Sequence, residues 1–200
     1  GKPYYLTAAG ALGASEHASQ CVVELPEKLQ RIRLQEPPVG EVLRAAIRAS
    51  LRCLKIAPLQ VTLPLLCATY RAPIGDNGQM MPITGTTGTF KTSIAVTFLR
   101  HFGAGYDSDK LPNWSSTSGA NEAILYHAKD CLQVVDDFVP GDEGSRKLHQ
   151  KGTRLVRSAA NQAGRDRLDR TSRLQAFSYF PRSFTLITGE ESQRGSSIVA

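Results

Sequence analysis

The chain has 200 residues, 41% of them hydrophobic and 21% charged, with a formal net charge of +6. This excludes a chain that is disordered throughout and fits one domain, or one domain with a small helical extension. The basic excess permits an acidic partner such as nucleic acid but is also common on ordinary enzymes, so where the charges lie matters more than their sum.

Residues 1–37 mix Gly, Ala, Ser and Pro around one apolar stretch, "CVVEL", and end in "QEPP"; they read as a strand or two followed by a linker. In "VGEVLRAAIRASLRCLKIAP", Val42, Leu43, Ala46, Ile47, Leu51 and Leu54 recur at helical spacing with arginines between them, and Pro58 marks the end. "LQVTLPLLCATYRA" reads as a second helix, kinked near Pro64, so residues 38–78 are expected to form a helical module. Its run "VTLPLLCATY" is too short to cross a bilayer, and no membrane partner is expected.

Residues 79–200 change rhythm. After the turn signal Asp76-Asn77-Gly78, a short apolar strand feeds into Gly85, and "TSIAVTFLRHF" is helical with Ile94, Ala95, Phe98, Leu99 and Phe102 on one side. "GAGYDSDKLPNWSSTSG" is loop-like, "ANEAILYHAKD" helical, and "CLQVVDD" a buried strand ending in two acids. A basic amphipathic helix over 145–163, a polar arginine-rich segment over 164–175 and a last buried strand, "SFTLITGE", complete the pattern. Strands alternating with helices in this way predict an α/β fold with a parallel sheet.

Cys21, Cys53, Cys67 and Cys131 are far apart and show no CxxC spacing, which argues against a zinc knuckle or a disulfide framework and for a reduced, cytoplasmic compartment. His127 and Cys131 would share a helical face, but no second ligand pair accompanies them, and they read as structural. The chain starts at Gly1 with no visible signal peptide and stops at "QRGSSIVA", which reads as a helix cut short; a fragment is expected.

The chemistry concentrates in "ITGTTGTFKTS". A phosphate-binding loop surrounds the β- and γ-phosphates with backbone N–H groups at a helix N-terminus, sets a lysine on the phosphate oxygens and offers a hydroxyl to magnesium. Gly85, Thr86, Thr87, Gly88, Thr89, Phe90, Lys91, Thr92 and Ser93 fit that use, except that Phe90 stands where the frequent pattern has glycine. Phe90 still supplies an amide, but lacks the backbone freedom of glycine. The alternative is a Gly/Thr-rich turn before an ordinary helix. "CLQVVDDFVP" supplies the second part: an apolar strand delivering Asp136 and Asp137 to the edge where open α/β sheets bind ligands. Asp136 would hold magnesium through water, and Asp137 would position or deprotonate the attacking water. Paired acids at a strand end are also common as a solvated terminus. Thr188, with Glu190 close by, is the candidate sensor of the γ-phosphate on the last strand, or else only a cap for the next element.

Between those two strands, the stretch from Arg146 to Arg182 carries ten basic residues against Asp166 and Asp169 alone. A basic helix is often just a solvated face. The segment also sits where a ring-forming motor inserts a hairpin that grips phosphates, with "AGRDRLDRTSR" as its tip and Arg165, Arg167 and Arg170 as contacts. A competing use is that one of these arginines, or Arg182 or Arg194, reaches a neighbouring subunit's nucleotide as an arginine finger.

Together, "GTTGTFKTS", "LPNWSSTSGANEAI", "AKDCLQVVDDFVP", "GRDRL" and "PRSFTLITGEE" resemble, in this order, the helicase-like ATPases of phages, plasmids and integrated mobile elements, over about residues 40–200. The chain is also similar to superfamily 3 viral helicases, although those end the sensor strand in asparagine where this sequence has Thr188-Gly189-Glu190. The resemblance implies an AAA+-like P-loop core, ring formation and ATP-driven movement on DNA. A DNA helicase or translocase using ATP and Mg2+ is therefore expected, with an ATP-dependent switch or scaffold and a small-molecule kinase as the other two readings. Trp114, Ser115, Ser116 and Thr117 belong to a shared block without a derivable role; Trp114 reads as packing, and the hydroxyls as neighbours of the nucleotide.

Overall fold

The computed structural model describes residues 4–13, 21–139, 145–164 and 178–191. The N-terminus forms an antiparallel hairpin of β1 (Tyr5–Thr7) and β2 (Gly10–Leu12), while "CVVEL" lies outside any strand. The apolar stretch predicted as a strand pairs with no other strand among the described residues, although it lies beside the hairpin. The hairpin is tied to the body by Tyr5, whose hydroxyl donates to the Asp130 carbonyl at 2.7 Å and lies 2.9 Å from Cys131 Sγ. Burial pushes the Cys131 thiol up to about 12, so this cysteine is a packed, unreactive one. Residues read as part of a linker also reach the core: Leu29 and Ile32 are buried, and the Arg33 amide donates to the Phe102 carbonyl at 3.0 Å.

α1 (Gly40–Arg52) and α2 (Leu59–Arg71) come next. α2 runs through Pro64 and buries Leu65, Leu66 and Ala68. α1 has the predicted helical spacing, but its apolar face is left uncovered. Val42, Leu43, Ile47 and Leu51 are exposed, and contact with the body comes through Ser50, which pairs with His101 Nε2 at 2.8 Å and accepts from the Tyr70 hydroxyl at 2.9 Å.

The rest is α/β. β3 (Met80–Thr84) leads to α3 (Lys91–Leu99), α4 (Ser118–His127), β4 (Leu132–Phe138), α5 (Ser145–Ala160) and β5 (Phe184–Gly189). All pairings are parallel and the order is β3-β5-β4, so the last strand lies between the two earlier ones. Strand alternation sorts the core into two layers. Ile83, Leu132, Val134 and Leu186 pack with the buried faces of α2 and α3, whereas Val135, Phe138 and Ile187 pack with Trp114, Leu125 and Leu155 on the other side. Helices on both faces of a parallel sheet leave its carboxyl edge as the open crevice, and Thr84, Phe138 and Gly189 are in register there. Among the described residues no helix is long and apolar enough to cross a membrane.

Candidate functional site

β3 ends at Thr84, and the chain turns through residues 85–90 into α3, whose first residue is Lys91. Phe90 caps that helix in the left-handed region, φ 57° and ψ 22°, with no side-chain cap bond; its carbonyl accepts the first helical bond, from the Ile94 amide at 2.9 Å. Thr89 closes the turn by donating to the Thr86 carbonyl at 2.7 Å. Lys91 folds back over the loop and donates to the carbonyls of Gly85 (2.8 Å) and Thr86 (2.7 Å). It makes no ion pair among the described residues, so its charge is left for an anion at the loop.

The two aspartates need more than a strand. Successive side chains in a regular strand point to opposite faces, so Asp136 and Asp137 could not both serve one site. β4 breaks register with β5 between Val135 and Phe138, and Asp137 takes φ 67°. This bulge brings both aspartates to the lining of one cleft of about 400 Å³, which is also lined by residues 87–93, Thr188, Gly189 and Glu190. At the bulge, the Asp136 amide donates to the Pro112 carbonyl at 2.8 Å and the Trp114 amide donates to the Asp136 carbonyl at 3.2 Å.

Three hydrogen bonds join the groups in the middle of the cleft. The Thr92 hydroxyl donates to Asp136 Oδ1 at 2.8 Å, the Thr188 hydroxyl donates to the same oxygen, and the Asp137 amide donates to Thr188 Oγ1 at 3.3 Å. Thr188 is buried, with both neighbours in the sheet. Thr87 donates its hydroxyl to Glu190 across the mouth of the cleft. The Thr92 hydroxyl beside a carboxylate is an all-oxygen donor set of the kind magnesium takes when substrate phosphates and water supply its other ligands. Among the described residues no group of three or more His, Cys, Asp or Glu side chains is placed to hold a metal by protein ligands alone.

The block 113–117 is mostly structural. Trp114 is buried edge-on to Phe138 with ring centroids 5.1 Å apart, and Thr117 caps α4 by accepting from the Ala120 amide at 3.2 Å. Ser115 and Ser116 both donate to Asn113 Oδ1, at 2.7 and 3.1 Å, and neither lines the cleft between the loop and the aspartates. Lys151 of α5 donates to the carbonyls of Trp114, at 2.6 Å, and of Ser116, and its partial burial lowers its pKa.

Arg165, Arg167, Arg170 and Arg194 lie outside the described residues. Arg182 precedes β5 at the sheet's amino edge, six residues from Thr188 and therefore about 20 Å from the cleft along the strand. Its guanidinium sits 3.6 Å over the Tyr126 ring, and Nε donates to the Tyr126 carbonyl at 3.1 Å; service at a neighbour's nucleotide would require breaking both contacts. Burial and the adjacent Arg182 charge lower the pKa of His127.

Sequence reasoning missed two participants. Gly189 packs so tightly on the bulge that a Cβ there would lie 2.4 Å from the Phe138 carbonyl oxygen, and its own carbonyl accepts from the Gly85 amide at 3.3 Å. The signal was a glycine ending a buried strand, which marks close backbone approach. Lys151 carried no signal beyond basicity, since its acceptors are backbone groups 35 and 37 residues away.

No protein-family model matches the chain, and no curated protein matches it. A solved structure described as "SCCmec type IV Cch - active helicase" is similar at 14% identity with a TM-score of 0.48, over 93% of this chain and 33% of that one. The chain thus spans about a third of that protein's length.

Proposed function

We propose that the chain is the nucleotide-binding core of an ATP-hydrolysing motor, a DNA helicase or translocase of a mobile element or phage. The observation that carries this is the meeting of Lys91, Thr92, Asp136 and Thr188 at the carboxyl edge of one parallel sheet, contributed by three separate elements. The amides of residues 85–90 and the Lys91 ammonium would bind the phosphates, and Thr92 with Asp136 would hold Mg2+. When bound, the ion neutralises charge on the β- and γ-phosphates. Asp137, exposed at the end of the bulge, would orient the attacking water and accept its proton, while Thr188 holds the Asp136 carboxylate and the Asp137 amide in one arrangement.

The nucleic-acid reading rests on charge and connectivity. α5 carries Arg146, Lys147, Arg154 and Arg157, and the residues flanking 165–177 abut: a Cβ on Gly164 would lie 2.4 Å from the Tyr179 carbonyl oxygen. Arg165, Arg167 and Arg170, which lie outside the described residues, would contact phosphates. A ring of identical copies belongs to the same proposal.

ATP hydrolysis with and without single-stranded DNA, for the parent and for Lys91→Ala, tests this reading. Stimulated turnover that Lys91→Ala abolishes is expected. Turnover indifferent to DNA would remove the motor, and nucleotide binding without turnover would leave a switch. A phosphorylated small molecule as product would make the protein a kinase.

A further inference from the structure

The geometry points to Lys151 as a positioning residue for the acidic pair, a role that rests on reading the cleft as an ATPase site. At the bulge β4 leaves its ladder with β5, and the backbone of Asp136 is paired instead on its other edge. Asn113 forms a parallel bridge to Asp136, the Asp136 amide donates to the Pro112 carbonyl at 2.8 Å, and the Trp114 amide donates to the Asp136 carbonyl at 3.2 Å. Residues 112–116 therefore splint the stretch that carries both carboxylates. Packing of the Trp114 ring on Phe138 fixes the splint from the core side.

The splint is held from α4 by the Asn121 amide, which donates to the Asn113 carbonyl at 3.0 Å, and from α5 by an ammonium. Lys151 Nζ donates to the carbonyls of both Trp114 and Ser116, and among the described residues it pairs with no carboxylate. A lysine that is partly desolvated to bond two carbonyls is not a solvated member of a basic face: removing it takes a charged donor from both acceptors, where such bonds are stronger than neutral ones. Asp136 has Thr92 and Thr188 on its carboxylate, whereas the Asp137 side chain is exposed and its stretch is held through the backbone. Loosening the splint thus reaches Asp137, the residue assigned to the water, through the backbone it shares with Asp136, and spares the phosphate loop.

Comparison of Lys151→Met and Lys151→Arg with the parent tests this. In nucleotide-free protein, Lys151→Met is expected to speed amide hydrogen exchange at Trp114 and Asp136 about 10-fold while residues 94–99 keep parental rates, and Lys151→Arg, which retains two donors, restores protection. In Mg-ATP turnover, kcat is expected to fall about 10-fold, the order found for groups that orient a metal-binding side chain, with KM for ATP within about twofold. Unchanged exchange at Trp114 and Asp136, or an equal rise in α3, would overturn the role. So would loss of kcat and ATP affinity in proportion. A parent that hydrolyses no ATP would sink the ATPase reading alone, because the exchange comparison still decides whether Lys151 holds the acidic pair. Should Lys151→Met not fold, Lys151→Gln, with one donor group, carries the same comparison.

Discussion

Two residues of the cleft, Phe90 and Asp137, occupy left-handed backbone at φ 57° and 67° without being glycine, and they are held in opposite ways. Phe90 makes no side-chain cap bond and is 75% exposed, so little beyond the turn itself maintains it. The backbone of Asp137 is enclosed: its amide donates to Thr188, the next residue's carbonyl accepts from the Glu190 amide at 3.1 Å, and Gly189 packs against that same carbonyl. The backbone state is shared, but the strain is local at one residue and distributed over two strands at the other. Strain at a functional site persists where its surroundings over-determine it, and only the acidic side of this cleft has such surroundings.

Substitutions can break that contrast in a graded way. The largest effect is expected from Asp137→Asn, which keeps the shape and tolerates left-handed backbone: turnover should fall about 10²–10⁴-fold with nucleotide affinity retained, as removal of a general base does. Equal turnover in steady-state assays would take Asp137 out of the reaction. Gly189→Ala should come next. Its new Cβ meets backbone, not a yielding side chain, so the bulge must shift, at a loss of about 1–3 kcal/mol in denaturant unfolding. A variant as stable as the parent would mean the bulge is softer than its contacts imply.

Thr188→Val removes the hydroxyl that joins Asp136 to the Asp137 amide, and about 1–2 kcal/mol of stability should be lost with it in the same unfolding measurement, because a half-buried N–H is left without its acceptor. The smallest change is expected at Phe90. Phe90→Gly relieves left-handed strain of about 1–2 kcal/mol but returns entropy to the unfolded chain, for a net gain under about 1 kcal/mol. A clear loss of stability would show that the exposed ring makes a contact worth more than the strain.

The loop, the strand that ends in two acids and the strand that carries Thr188 were legible because each is local. Gly85 to Ser93 lie within nine residues, and Leu132–Phe138 and Phe184–Gly189 are apolar runs closed by polar residues. The order of strands, loop and acids along the chain then restricted how they could meet. By contrast, α1 shows what periodicity leaves open. Val42, Leu43, Ile47 and Leu51 mark one helical face, yet that face is exposed, since spacing reports which residues share a side and not whether anything covers it. Leu29 and Ile32 illustrate the converse: a segment with no regular period enters the core because two side chains reach it.

What the sequence determined by itself was the inventory: a loop with a lysine and a hydroxyl, two adjacent acids, a threonine at a strand end, and a parallel α/β rhythm to carry them. Only the tertiary structure decided how they combine. Placing β5 between β3 and β4 brings Thr188 onto Asp136, and the bulge lets two neighbouring aspartates line the same cleft. The pairing of Asp136 with residues 112–114 and the reach of Lys151 to Trp114 and Ser116 also belong to this level, because both run through backbone N–H and C=O groups that nearly every residue possesses and that no side-chain pattern can announce.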